Sequence, residues 1–310
     1  VRALVVSNMQ PGPAHPERGS FVRDQVAALR TLDGLDVELY EFPPGPAALL
    51  SASRHLRRRR TDRFDVVHAH FGLTAWPAML ARAGVHALTL HGTDLHHPRT
   101  RLLTRAALSR IDLLATVSAE LARELPPELQ RRAQVLPCGV DMQRFQPSPR
   151  AQAREALGLD PDAPCLLFAA DPARPEKRHD RAAELAADAG VALLTLGGVE
   201  PARVALHINA ANAVLVPSER EGFGLAVLEA LACDVPVLAT PVGIHAEALD
   251  GVAGALCAPY ELARWRDALT PLLAAADPRV QGRAHAERYS AKRMAERVAA
   301  AWRTTRGRAG

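Results

Sequence analysis

Lysine is almost missing from this chain: Lys177 and Lys292 are the only two in 310 residues, so arginine carries nearly all of the positive charge behind the net +4. Aromatic residues are equally thin, at 4%, and the basic stretches are not interleaved with them. That excludes the stacking platforms on which single-stranded nucleic acid is bound, and no nucleic-acid partner is expected. Cysteine is sparse and scattered, at Cys138, Cys165, Cys233 and Cys257, with no close pair. A disulfide framework and a thiolate metal site are excluded, and a reducing compartment fits. No apolar run approaches the roughly 18 residues that mark a membrane span; ALVV at 3–6 gives way at once to turn chemistry. A soluble, cytoplasmic protein is expected.

What is present is a regular alternation. Short apolar strands are predicted at 3–7, 35–40, 64–68, 86–90, 113–117 and 133–136, with helices at 20–32, 46–60, 72–82 and 102–108. The pattern restarts at 166–169 and continues through 191–196, 213–216 and 235–239, again with helices between. Strand and helix in alternation predict α/β architecture with parallel, doubly wound sheets. The length suits two domains of about 150 residues, each able to bury its own core. The boundaries read as a first domain over 1–146, a proline-bearing linker over 147–163, a second domain over 164–288, and a last helix and tail over 289–310. The arginine-rich tail from Arg303 is expected to fray.

The most informative stretch is PSEREGFGLAVLE, residues 217–229. A buried strand leads into a turn broken by Gly222 and Gly224, and helical spacing begins at Leu225. The helix-start N–H groups of Gly222, Phe223, Gly224 and Leu225, with the positive end of the helix dipole, favour an anion. Glu221 and Glu229 stand eight positions apart, near one face of that helix. Beside an anion they must address something else, such as a sugar ring or ribose hydroxyls. The loop DPARPEKR (171–178) supplies Arg174, a planar fork, and Lys177, a point charge, both suited to a diphosphate.

The first half places His68, His70, His91 and Ser118 at strand C-terminal ends, where ligands of such sheets collect. Gly19 and Ser20 precede a helix and offer an amide and an N-cap hydroxyl to a phosphate or substrate oxygen. A second reading takes His68 and His70, alternating on one strand with His91 and Asp94 following, as ligands of a metal-dependent hydrolase. The first half contains no lysine to bridge such a metal pair. Six arginines between Arg54 and Arg63 form the densest basic block, either a solvated helix end or a surface for an anionic leaflet.

Together the acid–seven–acid string around GFGL, PVG at 241–243, HAHFG at 68–72, LHGTDLH at 90–96, TVSAEL at 116–121 and VLPCGVDMQRF at 135–145 resemble the signature of family-four retaining glycosyltransferases. The resemblance implies a GT-B fold, with two Rossmann-like domains facing a cleft, the first on the acceptor side, and a last helix returning to it. It implies a nucleoside-diphosphate sugar donor and a glycan or lipid-linked hydroxyl acceptor, in cell-surface polysaccharide or glycolipid synthesis. Glu221 and His91 would be the catalytic residues over the transferred sugar, and Glu229 would hold the ribose. Arg174, Lys177 and residues 222–225 would hold the diphosphate, with no metal and no cofactor required. Gly19, Ser20 and Asp94 would line an acceptor or phosphate loop, and Arg54 to Arg63 would give peripheral contact with the inner face of the plasma membrane. A nucleotide-sugar binder without turnover, or a GT-B epimerase, would share most of these residues. The chain departs from the family pattern at Ala170 and Asp171, where Gly-Arg is expected, at Arg178 in place of glycine, and at Ile244 in place of a second glycine. The segment between Leu196 and Ala211 is also too short for the extra strand that often helps hold the base.

Overall fold

The computed structural model describes residues 1–96 and 100–309. The chain divides into two compact units, one made of Val1–Pro13, Arg18–Gly139 and Ala291–Gly310, the other of Ala14–Glu17 and Val140–Ser290.

The first unit is built on a six-stranded parallel sheet. Its strands are β1 (Arg2–Ser7), β2 (Asp36–Glu41), β3 (Arg63–His70), β4 (Arg82–Leu90), β5 (Leu113–Thr116) and β6 (Gln134–Val135), in the order β2-β1-β3-β4-β5-β6. Strands covered by helices on both faces read as continuous apolar runs, and β1 and β5 do so, with every residue of β5 buried. One face packs against helix Ser20–Arg30, through Val22, Val26 and Leu29. The last helix, Ala291–Ala309, adds Met294, Ala295, Val298, Ala299 and Trp302 to the same core. The expected return of the last helix to the first domain is thus observed. Its tail does not fray at Arg303, since the helix runs on to Ala309.

Other boundaries moved. The helix expected over 72–82 is a single tight turn, Gly72–Thr74, plus Ala75–Ala78, because β4 begins at Arg82 and pairs with Arg63 of β3. Ser20 does not cap its helix. Gly19 is the cap residue, with φ 70°, and a Cβ there would lie 2.4 Å from the Met9 carbonyl oxygen.

The second unit carries a five-stranded parallel sheet of β7 (Cys165–Phe168), β8 (Ala192–Thr195), β9 (Ala213–Val216), β10 (Val237–Ala239) and β11 (Leu256–Cys257), ordered β11-β10-β9-β7-β8. Its core gathers Leu166, Phe168, Leu185, Leu215, Leu238, Trp265 and Leu269. The stretch expected as a linker, 147–163, is part of this unit. Helix Arg150–Leu157 turns Ala153 and two buried arginines inward. The Arg154 guanidinium donates to the carbonyls of Ala210 (3.0 Å) and Pro161 (2.7 Å) and to Asn212 Oδ1 (2.7 Å). Arg150 donates to Asp277 at 3.1 Å. Prolines flanking a polar helix read as a linker in sequence; the arginines are interior because each finds acceptors.

Removing the Arg154 fork takes one charged donor from each of three acceptors and leaves a side-chain-sized void. Arg154→Ala is expected to lower the unfolding free energy by roughly 3 kcal/mol or more in chemical denaturation, whereas a loss under about 1 kcal/mol would show that the arginine is not a structural tie.

Candidate functional site

In the second sheet the winding direction reverses between β7 and β9, and ligands of open α/β sheets bind where the loops after such strands diverge. Two sequence-derived elements meet there. The loop after β7 brings Lys177, and the turn after β9 brings Ser218 and Glu221. Lys177 Nζ donates to both carboxylate oxygens of Glu221, at 2.7 and 2.6 Å, and Ser218 Oγ donates to Glu221 Oε1 at 2.8 Å. The Lys177 and Glu221 side chains are only 14% and 8% exposed. The Glu219 amide donates to the Glu176 carbonyl at 2.9 Å and ties the two loops together. Burial alone would raise the Glu221 pKa. The Lys177 ammonium, then His245, and the hydrogen bonds from Lys177 and Ser218 outweigh it and hold the carboxylate below its ordinary value.

The glycine turn has the geometry its sequence promised. Gly224 caps helix Leu225–Ala232 with φ 104°, and a Cβ there would lie 2.4 Å from His245 Nε2. His245 is itself fixed, Nδ1 to the Thr240 carbonyl at 2.8 Å. Gly243, at φ 60°, lies under the turn, where a Cβ would come within 2.4 Å of the Phe223 carbonyl oxygen, and the Ile244 amide donates to that oxygen at 2.9 Å. PVG therefore closes the turn from beneath. Of the residues assigned to the anion, Phe223 and Gly224 are buried, while Gly222 and Leu225 are part-exposed. Glu229 shares an open stripe of the helix with Leu225 and Ala226, one turn along from Leu225, while Val227, Leu228 and Ala230 to Ala232 are buried. Ser218 and His245 were missed by sequence reading. Ser218 could have been found from its place directly after the strand end, but His245 acts through a packing contact that spacing does not encode.

Arg174 is placed apart from this pair. Its guanidinium forks onto Glu176 Oε1 at 3.0 and 2.7 Å and is 52% exposed. Arg178 adopts φ 58°, ψ 54° at the position where the family pattern has glycine, so the pattern's backbone is kept without its usual residue. Ion pairs to Asp180 and Glu219, both at 2.5 Å, hold the strained residue.

In the first unit the structure brings His68, His70 and His91 together. His68 and His70 stand two residues apart on one face of β3, with ring centroids 4.9 Å apart, and His70 Nδ1 lies 2.9 Å from His91 Nε2. Trp302 Nε1 donates to His68 Nδ1 at 3.0 Å, and His68 Nε2 lies 2.8 Å from Thr89 Oγ1. Phe21 and Phe71 pack on the His91 ring at 4.9 and 4.6 Å. Phe71 has φ 72°, ψ 141°, a region essentially reserved for glycine, and such strain persists only where the surroundings enforce it. Asp94 is buried, and its two carboxylate oxygens accept from the amides of Gly72 (2.8 Å) and His91 (2.6 Å). It thus straps the loops after β3 and β4 together.

This arrangement disfavours the metal-hydrolase reading on geometry, because both His68 nitrogens are engaged and His70 addresses His91. Among the described residues no group of three or more His, Cys, Asp or Glu is arranged to hold a metal ion. Burial lowers the pKa of His68 and of His91 to about 3, and that of His70 well below its ordinary value, with neighbouring histidines adding to the effect at His70 and His91. All three are neutral at physiological pH.

The unfolded chain binds protons at His68 and His91 below about pH 6.5, whereas the folded chain refuses them until about pH 3. Their contribution is therefore full above pH 6.5 and is lost as pH falls through that window, at up to about 1.4 kcal/mol per pH unit for each. Denaturation at pH 7, 6 and 5 should show a steep loss for the wild type and a shallower one, by about one proton, for His68→Gln. Equal slopes would contradict the buried neutral histidine.

Against known proteins, residues 153–293 match the family described as glycosyl transferases group 1, and residues 2–144 match glycosyltransferase family 4. The D-inositol 3-phosphate glycosyltransferase of Actinosynnema mirum is 32% identical over 360 residues, covering 96% of this chain and 85% of that protein. The enzyme of the same name from Geodermatophilus obscurus is 30% identical, over 87% of this chain and 73% of that one. Sucrose-phosphate synthase from Thermosynechococcus elongatus superposes with a TM-score of 0.74 at 18% identity, covering 98% and 99% of the two chains. Anabaena Alr3699/HepE in complex with UDP and glucose superposes with a TM-score of 0.70 at 15% identity, over 97% and 99%. Two doubly wound parallel sheets, a lysine and a glutamate meeting at the switch point of the second, and these matches along almost the whole chain make it a member of the family-four, group 1 glycosyltransferases, with the GT-B fold.

Proposed function

We propose that this transferase moves a sugar, with retention, from a nucleoside-diphosphate donor to a hydroxyl acceptor. One observation carries the reading: a buried ammonium and carboxylate, Lys177 and Glu221, bonded to each other at the switch point beside a glycine-capped helix start. A leaving diphosphate gains negative charge as its bond to the anomeric carbon breaks, and stabilising it is the largest electrostatic task in the reaction. Lys177 and the amides of residues 222–225 supply that stabilisation, so no metal or other cofactor is called for. Glu229, on the open stripe of the helix, takes the ribose hydroxyls. Glu221 positions the sugar and stabilises positive character at the anomeric carbon, and His91 is assigned to the transferred sugar. The acceptor oxygen attacks the face from which the diphosphate departs, and the acceptor's proton passes to the departing phosphate oxygen.

Arg174 joins the diphosphate only by exchanging Glu176 for it, so its contribution is secondary to that of Lys177. Solved relatives in fold are described with UDP and glucose, and the curated relatives are named for D-inositol 3-phosphate. Uridine nucleotides and phosphorylated polyols therefore head the panel of donors and acceptors, with lipid-linked and cell-surface acceptors after them. Peripheral contact with an anionic leaflet falls to Arg54, Arg57, Arg58 and Arg63, which are exposed. Arg59 is instead committed to Glu38 and Asp62, at 2.7 Å each. No described helix is long and apolar enough to cross a membrane.

Two measurements test the reading. A thermal-shift panel of nucleoside diphosphates and their sugar conjugates should pick out one base by a raised melting temperature. Glu221→Ala should cut kcat by about 100-fold or more while the preferred diphosphate still binds. A nucleotide binder without turnover would show the shift and no transfer, and near-wild-type transfer by the variant would remove Glu221 from its role.

A further inference from the structure

The histidine cluster of the first unit contains one donor that cannot be reversed. The Trp302 indole N–H has no lone pair to offer, so His68 Nδ1, 3.0 Å away, must be the acceptor. A neutral His68 therefore carries its proton on Nε2 and donates to Thr89 Oγ1 at 2.8 Å. The neighbouring pair has two arrangements. Either His70 Nδ1–H donates to His91 Nε2, or His91 Nε2–H donates to His70 Nδ1. The second arrangement puts the His70 proton on Nε2, which is buried with no hydrogen-bond partner among the described residues. A buried orphan N–H is among the rarest features of folded proteins, and the first arrangement avoids it by leaving only a lone pair there. It leaves His91 protonated on Nδ1, which has no partner among the described residues but, unlike His70 Nε2, is not a fully buried atom, since His91 is part-exposed. The lowered pKa values of all three rings fit a cluster of neutral tautomers rather than imidazolium ions.

We propose that His70 is a positioning residue which, through Nδ1, fixes His91 as the Nδ1–H tautomer, so that His91 meets its ligand as a hydrogen-bond donor and not as a base. Resting on the assignment of His91 to the donor sugar, this means His91 donates to a sugar oxygen and takes no proton during transfer. His68, Thr89 and Trp302 hold the His70 ring by stacking and by the fixed hydrogen bonds, and Asp94 holds the His91 backbone. The Phe71 ring, presented by a strained backbone, closes on His91 from its own strand end.

The test is the tautomer itself, read from the ring 15N shifts of histidine-labelled protein with His91 assigned by substitution. The wild type should show Nε2 unprotonated and Nδ1 protonated at pH 7. His70→Leu should scramble or reverse that pattern and lower kcat about 10-fold, with the donor KM within about 2-fold. His70→Asn can keep an N–H near the lost Nδ1, and it should restore the pattern and most of the rate, which a purely structural role would not predict. Protonated Nε2 in the wild type, or an unchanged tautomer in a folded His70→Leu, overturns the proposal. If the tautomer switches as expected while neither His70→Leu nor His91→Ala alters transfer, the tautomer assignment stands and the sugar role of His91 falls. The two failures are therefore told apart.

Discussion

A lysine ammonium and a glutamate carboxylate share a nearly dry site at the switch point of the second sheet, and much of that unit is arranged to keep them there. Each charge alone would be expensive to bury; paired, and with Ser218 satisfying part of the carboxylate, they are tolerable. The pair also sets the chemistry available. In the proposed reading the ammonium exchanges part of its carboxylate contact for phosphate oxygens. The carboxylate is held ionised, below its usual range, by the ammonium first. A pair worth little as a source of stability is thus intelligible as a preorganised site.

The supporting geometry is mostly steric. Gly224 and Gly243 are fixed by contacts that a single added carbon would break, to His245 in one case and to Phe223 in the other. The histidines of the first unit make a similar point with hydrogen bonds. Trp302, from the last helix, fixes the proton of His68 on Nε2, while the buried Nε2 of His70, without a partner among the described residues, separately favours His70 as the donor to His91.

Much of the fold was legible because buried parallel strands are written as unbroken apolar runs. Strand β9 begins and ends where its AVLV run does, and β1, β5 and β7 lie within a residue of their expected limits. The Lys177–Glu221 pairing was legible only as two motifs, 44 positions apart, that a doubly wound sheet would bring to the same end. What the sequence concealed has physical reasons. The linker was misplaced because flanking prolines mimic one, while most of the acceptors that take Arg150 and Arg154 inside, Asp277, Ala210 and Asn212, lie 50 or more positions away. The contact of Trp302 with His68 spans 234 positions and belongs to no periodicity. Arg174 looked free to bind a diphosphate, and it is its neighbour Glu176 that occupies it.

The scarcity of lysine makes the central claim directly measurable. With only Lys177 and Lys292 in the chain, 15N-lysine labelling yields two side-chain signals, and Lys177→Met identifies one of them. Titration with the preferred nucleoside diphosphate should shift the Lys177 ammonium signal to saturation, with a 31P contact, and leave Lys292 where it is. A Lys177 signal that stays fixed while the nucleotide is demonstrably bound would contradict the account.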